Sequence, residues 1–108
     1  MCVINLGKRV KGPVVGWKLL RKDGERLYGI LDFPYKVGVY HNGQFEAFVK
    51  KSDALKSITH WSGSYVVMRV HLYNAAKGRI EGMDDSADDC KGYHATRIRI
   101  LPVRKRGA

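Results

Sequence analysis

The sequence predicts a β-rich α+β domain, a mainly antiparallel twisted sheet carrying one short helix. Three observations carry this reading. Twelve glycines punctuate short apolar runs, Asp-Gly and Asn-Gly dipeptides separate strand-like segments, and one stretch alone has helical spacing. At 108 residues, 44% of them hydrophobic, the chain has material for one core. We therefore expect one domain over residues 1–108, with a flexible basic tail at about 103–108.

The first ten residues, MCVINLGKRV, hold no apolar run of the length a secretory signal needs, and no segment approaches the roughly 18 apolar residues of a membrane span. The expectation is a cytoplasmic protein without membrane association, in which Cys2 and Cys90 are free thiols. VVGWKLLRK, DGE and RLYGI make a hairpin, because Gly24 takes positive φ at low cost. VGVYHNGQFEAFV predicts a second hairpin, with Asn42-Gly43 separating residues 37–41 from 44–49.

KSDALKSITHW predicts a helix of at most three turns, with Ser52 as N-cap, Asp53 at the positive end and Ala54, Leu55 and Ile58 on the apolar face. Trp17, which shares a face with Val15 and Leu19, and Trp61, beside the helix, are assigned to the core. From Lys77 to Gly92 the chain is polar and acidic and is broken by Gly78, Gly82 and Gly92, so an exposed loop is expected.

Charge is unevenly distributed. Twenty Lys and Arg face ten Asp and Glu, a net charge of +10, yet Glu81, Asp84, Asp85, Asp88 and Asp89 fall within nine residues. The remainder of the chain sets twenty bases against five acids, a balance of +15. Such a surface attracts polyanions or acidic protein faces. The acidic segment itself reads as a solvated connection or as a flap that pairs with basic surface. Its DDSADD run lacks the Asp-x-Asp-x-Asp-Gly spacing that wraps calcium.

Period-two alternation in SYVVMRVHLY puts Val66, Met68, Val70 and Leu72 inward and Tyr65, Val67, Arg69, His71 and Tyr73 outward. In the last strand, GYHATRIRIL, the same alternation sets His94, Thr96, Ile98 and Ile100 against Tyr93, Ala95, Arg97 and Arg99. Side by side, these strands present Tyr65, Arg69, His71, Tyr73, Tyr93, Arg97 and Arg99 on one face. Aromatic rings stack on bases and guanidinium groups take phosphates, so the face suits a single-stranded nucleic acid, or an acidic protein partner met by Tyr and Arg hot spots. An ordinary solvent face, with rings packed on arginine stems, accounts for the same pattern without a ligand. Arg104, Lys105 and Arg106 in the tail add phosphate attraction that weakens with salt.

Other chemistries are poorly supported by the motifs. Cys90 and His94 supply half of a zinc site, KGRIEG is not a phosphate-cradling loop, and no helix-turn-helix or zinc finger is present. His60 with Ser62 and Ser64 reads as a turn near a helix end more readily than as a nucleophile and base. No cofactor and no metal are expected from these patterns.

VVGWKLLR, ERLYGI, QFEAFVKKSDALK, YVVMRVHL and ATRIRIL, in that order, resemble a group of small uncharacterised bacteriophage and prophage proteins. Members of that group begin with Met-Cys, as here, and share a Leu-Tyr-Ser-Pro segment, a Gly-Phe-His-x-Phe strand leading into a short helix, and a final aliphatic strand. Gly29 stands here after Leu27-Tyr28 in place of Ser-Pro, and Glu46 stands in place of the histidine. The resemblance spans most of the chain and implies a noncatalytic host-interaction or anti-defence role. An example is an anti-CRISPR inhibitor that blocks a nucleic-acid-handling complex of a bacterial host, or nucleic acid itself. A simple nucleic-acid-binding module is an alternative. A further distant similarity, to small ADP-ribosyltransferases, implies a second alternative, an enzyme using NAD. Of the three glutamates, Glu25 falls in a turn and Glu46 in a strand, leaving Glu81 as the catalytic candidate, with Arg21 and Ser62 or Ser64 on facing strands.

Overall fold

The computed structural model describes residues 2–29, 33–58, 64–81 and 90–102, with the backbone alone at Cys2 and Glu81. The elements run β1 (Cys2–Ile4), β2 (Arg9–Val10), β3 (Val14–Asp23), β4 (Arg26–Tyr28), β5 (Pro34–Tyr35), β6 (Tyr40–Phe48), α1 (Lys51–Ile58), β7 (Tyr65–Tyr73), β8 (Ala75–Glu81) and β9 (Lys91–Ile100). Paired strands are antiparallel throughout, as the turn chemistry and alternation predict.

The sheet does not stay open. β3 pairs with β7 from Val14↔Leu72 to Arg21↔Tyr65, β7 with β9 from Val70↔Ile100 to Tyr73↔Arg97, and β9 with β6 along its length. β6 then returns to β3 at Trp17↔Phe48, closing a four-stranded barrel. Gly16 permits this closure: a Cβ there would lie 2.7 Å from Leu72 Cδ1 and 3.3 Å from the Phe48 carbonyl oxygen. β4 and β5 extend the sheet from β3, and β8, carrying β1 and β2, extends it from β9.

The barrel interior follows from side-chain alternation. Leu20, Val70, Leu72, Ala95, Ile98 and Ile100 are fully buried and pack with Phe45, Ala47 and Met68. Each large aliphatic side chain contributes roughly 1.5–3 kcal/mol by leaving water. A second cluster, Phe48, Ala54, Ile80 and Cys90 with Val3, Trp17 and Val67, lies where α1 meets β3 and β7. Ala54 and Ser57 are the buried residues of the helix, whereas Leu55 is exposed, so the apolar face differs from the one its sequence predicts. Small side chains at 54 and 57 let the helix sit close. Ser52 lies inside the first turn rather than at the N-cap.

Two segments depart further from expectation. Asn42-Gly43 makes no hairpin: β6 runs straight through it, both halves pair with β9, and the register shifts between Asn42 and Phe45. The dipeptide is spent on a β-bulge, with Gly43 at φ 150°. The expected loop from Lys77 to Gly92 is strand as far as Glu81 and again from Lys91. Gly78 and Gly92 are strand residues in close contact: they stand opposite one another, and a Cβ on either would meet Val3. The acidic run 82–89 lies outside the described residues, as do Trp61, His60, Ser62 and the tail. The expected β3–β4 hairpin is present, with Gly24 at φ 61°.

Candidate functional site

β9 lies between β6 and β7 over its C-terminal half, and the register fixes what surrounds each arginine. Arg97 stands opposite Tyr73 on β7 and Asn42 on β6, and Arg99 opposite His71 and Tyr40. The Tyr40 and Tyr73 rings meet edge-on, centroids 5.6 Å apart, with their hydroxyls 3.4 Å apart. The Arg97 guanidinium lies 4.2 Å from the Tyr40 centroid and 5.8 Å from that of Tyr73. Arg99 lies 5.4 Å from the Tyr40 ring, and its Nε donates to the Gly38 carbonyl oxygen at 3.2 Å.

The rings thus orient the guanidiniums through cation–π contacts. Among the described residues these arginines contact rings and a carbonyl oxygen rather than a carboxylate, so their charge is uncompensated locally. Tyr40 is held below its ordinary pKa by its hydrogen bond with Tyr73 and by the charges of Arg99 and Arg97. The same hydrogen bond holds Tyr73 above its ordinary value, against the pull of those charges.

The band continues along β9. Ala95, Ile98 and Ile100 all point inward, so the inward parity changes between 95 and 98, and both Thr96 and Arg97 lie outside the barrel. Two irregularities flank this point: the β6 bulge, and Asn74 between β7 and β8 at φ 54°, a left-handed conformation that asparagine tolerates. Asn74 Nδ2 donates to Thr96 Oγ1 at 3.2 Å. Arg9 reaches over from β2: Nη1 donates to the Asn74 carbonyl at 2.8 Å, and Nη2 contacts His94 Nδ1 at 3.0 Å. His94, Thr96, Arg97 and Arg99 therefore form one outward row, joined by Arg9, Tyr73 and Tyr40.

The structure brings together His71, Tyr73, Arg97 and Arg99 of the residues the sequence singled out. Arg69 lies farther along β7, half-buried opposite Trp17. Tyr93 does not join the face: the parity change turns it against the barrel core. Tyr65 is at the far end of β7, opposite Arg21, in an open groove of about 700 Å³ also lined by Lys22, Leu27, Lys51 and Leu55. Arg104, Lys105 and Arg106 lie outside the described residues. Tyr40, Arg9, Asn74 and Thr96 were missed. Tyr40 was legible only if residues 40–48 were read as one strand, and no local signal ties Arg9 to β9.

Arg21 and Glu81 are not neighbours: Arg21 pairs at the first residue of β7, and Glu81 is the last residue of β8. Arg21 lies over the Tyr28 ring at 4.7 Å. Glu25 is at the β3–β4 turn, and Glu46 accepts the Val3 amide through Oε2. A different titratable group is enclosed by the barrel. Lys18 Nζ donates to the Glu46 carbonyl at 2.7 Å and lies 5.7 Å from the Tyr35 centroid. Burial pushes its pKa down to about 8, against the opposing pull of the Glu46 carboxylate. At the seam, where β6 and β3 share one residue pair, this ammonium takes a backbone carbonyl that a neighbouring strand would otherwise serve.

Among the described residues, no group of three His, Cys, Asp or Glu side chains is placed to hold a metal ion, and no helix is long and apolar enough to cross a membrane. Comparisons with family models, with curated proteins and with solved structures find no match.

Proposed function

We propose that the protein is a noncatalytic binding domain that occupies a polyanionic surface and denies it to other molecules. The surface is nucleic acid or a nucleic-acid-handling complex of a bacterial host, in keeping with the resemblance to small phage proteins. The observation that carries the reading is the pair of arginines held on the Tyr40 and Tyr73 rings with no carboxylate among their contacts in the described residues. A solvent-facing arginine with no role is free to sample many rotamers; here two are fixed side by side, which lowers the entropy lost on binding. Arg9, His94 and Thr96 extend the same surface.

The test is retention of bacterial lysate components on the tagged protein, wild type against Arg97→Ala/Arg99→Ala. Exposed Arg97 and half-exposed Arg99 make no core contact that would unfold the variant. The expected result is loss of the retained material with the fold intact, the melting temperature falling by no more than loss of the ring contacts and the Gly38 hydrogen bond accounts for. Equal retention by both proteins would remove the proposal.

A further inference from the structure

We infer that the ligand of the outer band is single-stranded nucleic acid, held by its phosphodiester backbone rather than by stacking on its bases. The inference rests on the binding role proposed above and specifies the partner.

The cations are arranged in a line. Arg97 and Arg99 are two residues apart on the same strand, about 6.6 Å at the rise of a β-strand, a spacing close to that of consecutive phosphates on an extended single strand. Arg9 sits over His94, about 10 Å farther along β9 at the same rise. A polynucleotide backbone carries a charge at every such repeat along its whole length, so one strand can reach Arg97, Arg99 and Arg9 together. The band follows one strand of a small barrel, and its curvature suits a flexible strand that can wrap better than a stiff duplex.

The aromatic rings favour phosphate over base. Tyr40 has Arg97 and Arg99 over its ring and meets Tyr73 edge-on, and Tyr73 has Arg97 over its own. Ring faces that would stack on bases are engaged by guanidiniums. Arg97 keeps its hydrogen-bonding edge for phosphate oxygens, and Arg99 keeps the Nη groups beyond the Nε that Gly38 takes; arginine binds phosphate in two-pronged fashion. Thr96 Oγ1 and His94 supply further hydrogen-bonding groups between the arginines. Recognition of this kind is tolerant of sequence and steep in salt.

The experiment is fluorescence anisotropy of the full chain with a labelled 12-nucleotide oligothymidylate, titrated at several salt concentrations. Neutralising three phosphates gives a slope of about −2 in log K against log [salt], at about −0.7 for each phosphate on a single strand. Arg97→Ala/Arg99→Ala is expected to weaken binding at least tenfold at 0.1 M salt and to make the slope shallower by about 1.4. Arg97→Lys/Arg99→Lys keeps the charge and is expected to keep most of the slope while losing affinity.

Lys22→Ala/Lys51→Ala, which removes two charges from the groove, is the control and is expected to leave the slope unchanged. An equal change in that control, an unchanged slope in the arginine-to-alanine variant, or tighter binding to a duplex of the same length would each overturn the inference. If the oligonucleotide does not bind but polyglutamate does, in an Arg97- and Arg99-dependent way, the inference fails and the broader binding role stands. If neither binds, both fail.

Discussion

Replacing Lys18 with Met is expected to make the protein more stable, an unusual outcome for a buried side chain with a defined hydrogen bond. The lysine is 9% exposed and stands opposite Met68 on the inner face of the barrel. Burial lowers its pKa from 10.5 to about 8. At 1.36 kcal/mol per pH unit, that drop corresponds to about 3 kcal/mol by which the charged form opposes folding at pH 7. Methionine has similar length and fills the same space without the charge, but leaves the Glu46 carbonyl without this donor, a cost of about 1 kcal/mol. The net gain is about 1–3 kcal/mol, or about 5–15 °C in melting temperature for a domain of this size.

The pH dependence separates this account from simple repacking. The native chain gives up the Lys18 proton near pH 8 and the unfolded chain near 10.5, so between those values the unfolded state binds more protons and stability rises with pH. This contribution is complete above 10.5 and is lost as pH falls toward 8. Cys90 and Tyr35 act in the opposite sense. Burial raises them to about 11 and about 12, so their contributions are full below 9 and 10 and are lost as pH rises through the folded values. Subtracting the Lys18→Met curve from that of wild type, by urea unfolding at pH 7 to 10, cancels both and leaves the lysine alone. Parallel curves over pH 8 to 10, or a variant destabilised at pH 7, would refute the reasoning.

Substitutions at two further positions probe the site and its support. Asn74→Ala forces a nonglycine, nonasparagine residue into the left-handed region and is expected to lower stability by about 1–2 kcal/mol, while Asn74→Gly keeps the backbone and costs less; urea melts distinguish them. Tyr40→Phe keeps the ring under Arg97 and is expected to retain oligonucleotide affinity, whereas Tyr40→Leu removes the ring that both arginines share and lowers it severalfold in the anisotropy assay.

The elements whose patterns obey one period were legible. Val66, Met68, Val70 and Leu72 alternate without interruption, and the structure puts them on the inner face as that alternation requires. The Asp-Gly turn was equally plain, because a hairpin is a local event. Closure of the barrel was not, since it depends on the Trp17↔Phe48 pairing and on Gly16, and neither leaves a mark in the neighbouring sequence. Asn42-Gly43 misled for a related reason: the positive φ that suits a hairpin turn also suits a bulge, and only the presence of β9 along both halves of β6 decides between them.

The same irregularities account for what was illegible in the band. A strict two-residue period through GYHATRIRI buries His94 and Thr96 and exposes Tyr93 and Ala95. In the structure Ala95 is fully buried, Tyr93 packs on the core, and His94 and Thr96 join Arg97 and Arg99 outside. The change falls where the β6 bulge and the left-handed Asn74 flank β9 from either side. Without it, His94 and Thr96 would face the barrel interior, away from Arg97 and Arg99, and Arg9 would lose its contact with the His94 ring. The break in periodicity therefore converts two arginines on one face into one outward row from His94 to Arg99. Local conflict between pattern and structure concentrates at sites that act on something other than the protein's own fold. In this chain the conflict and the uncompensated charge coincide at residues 94–99.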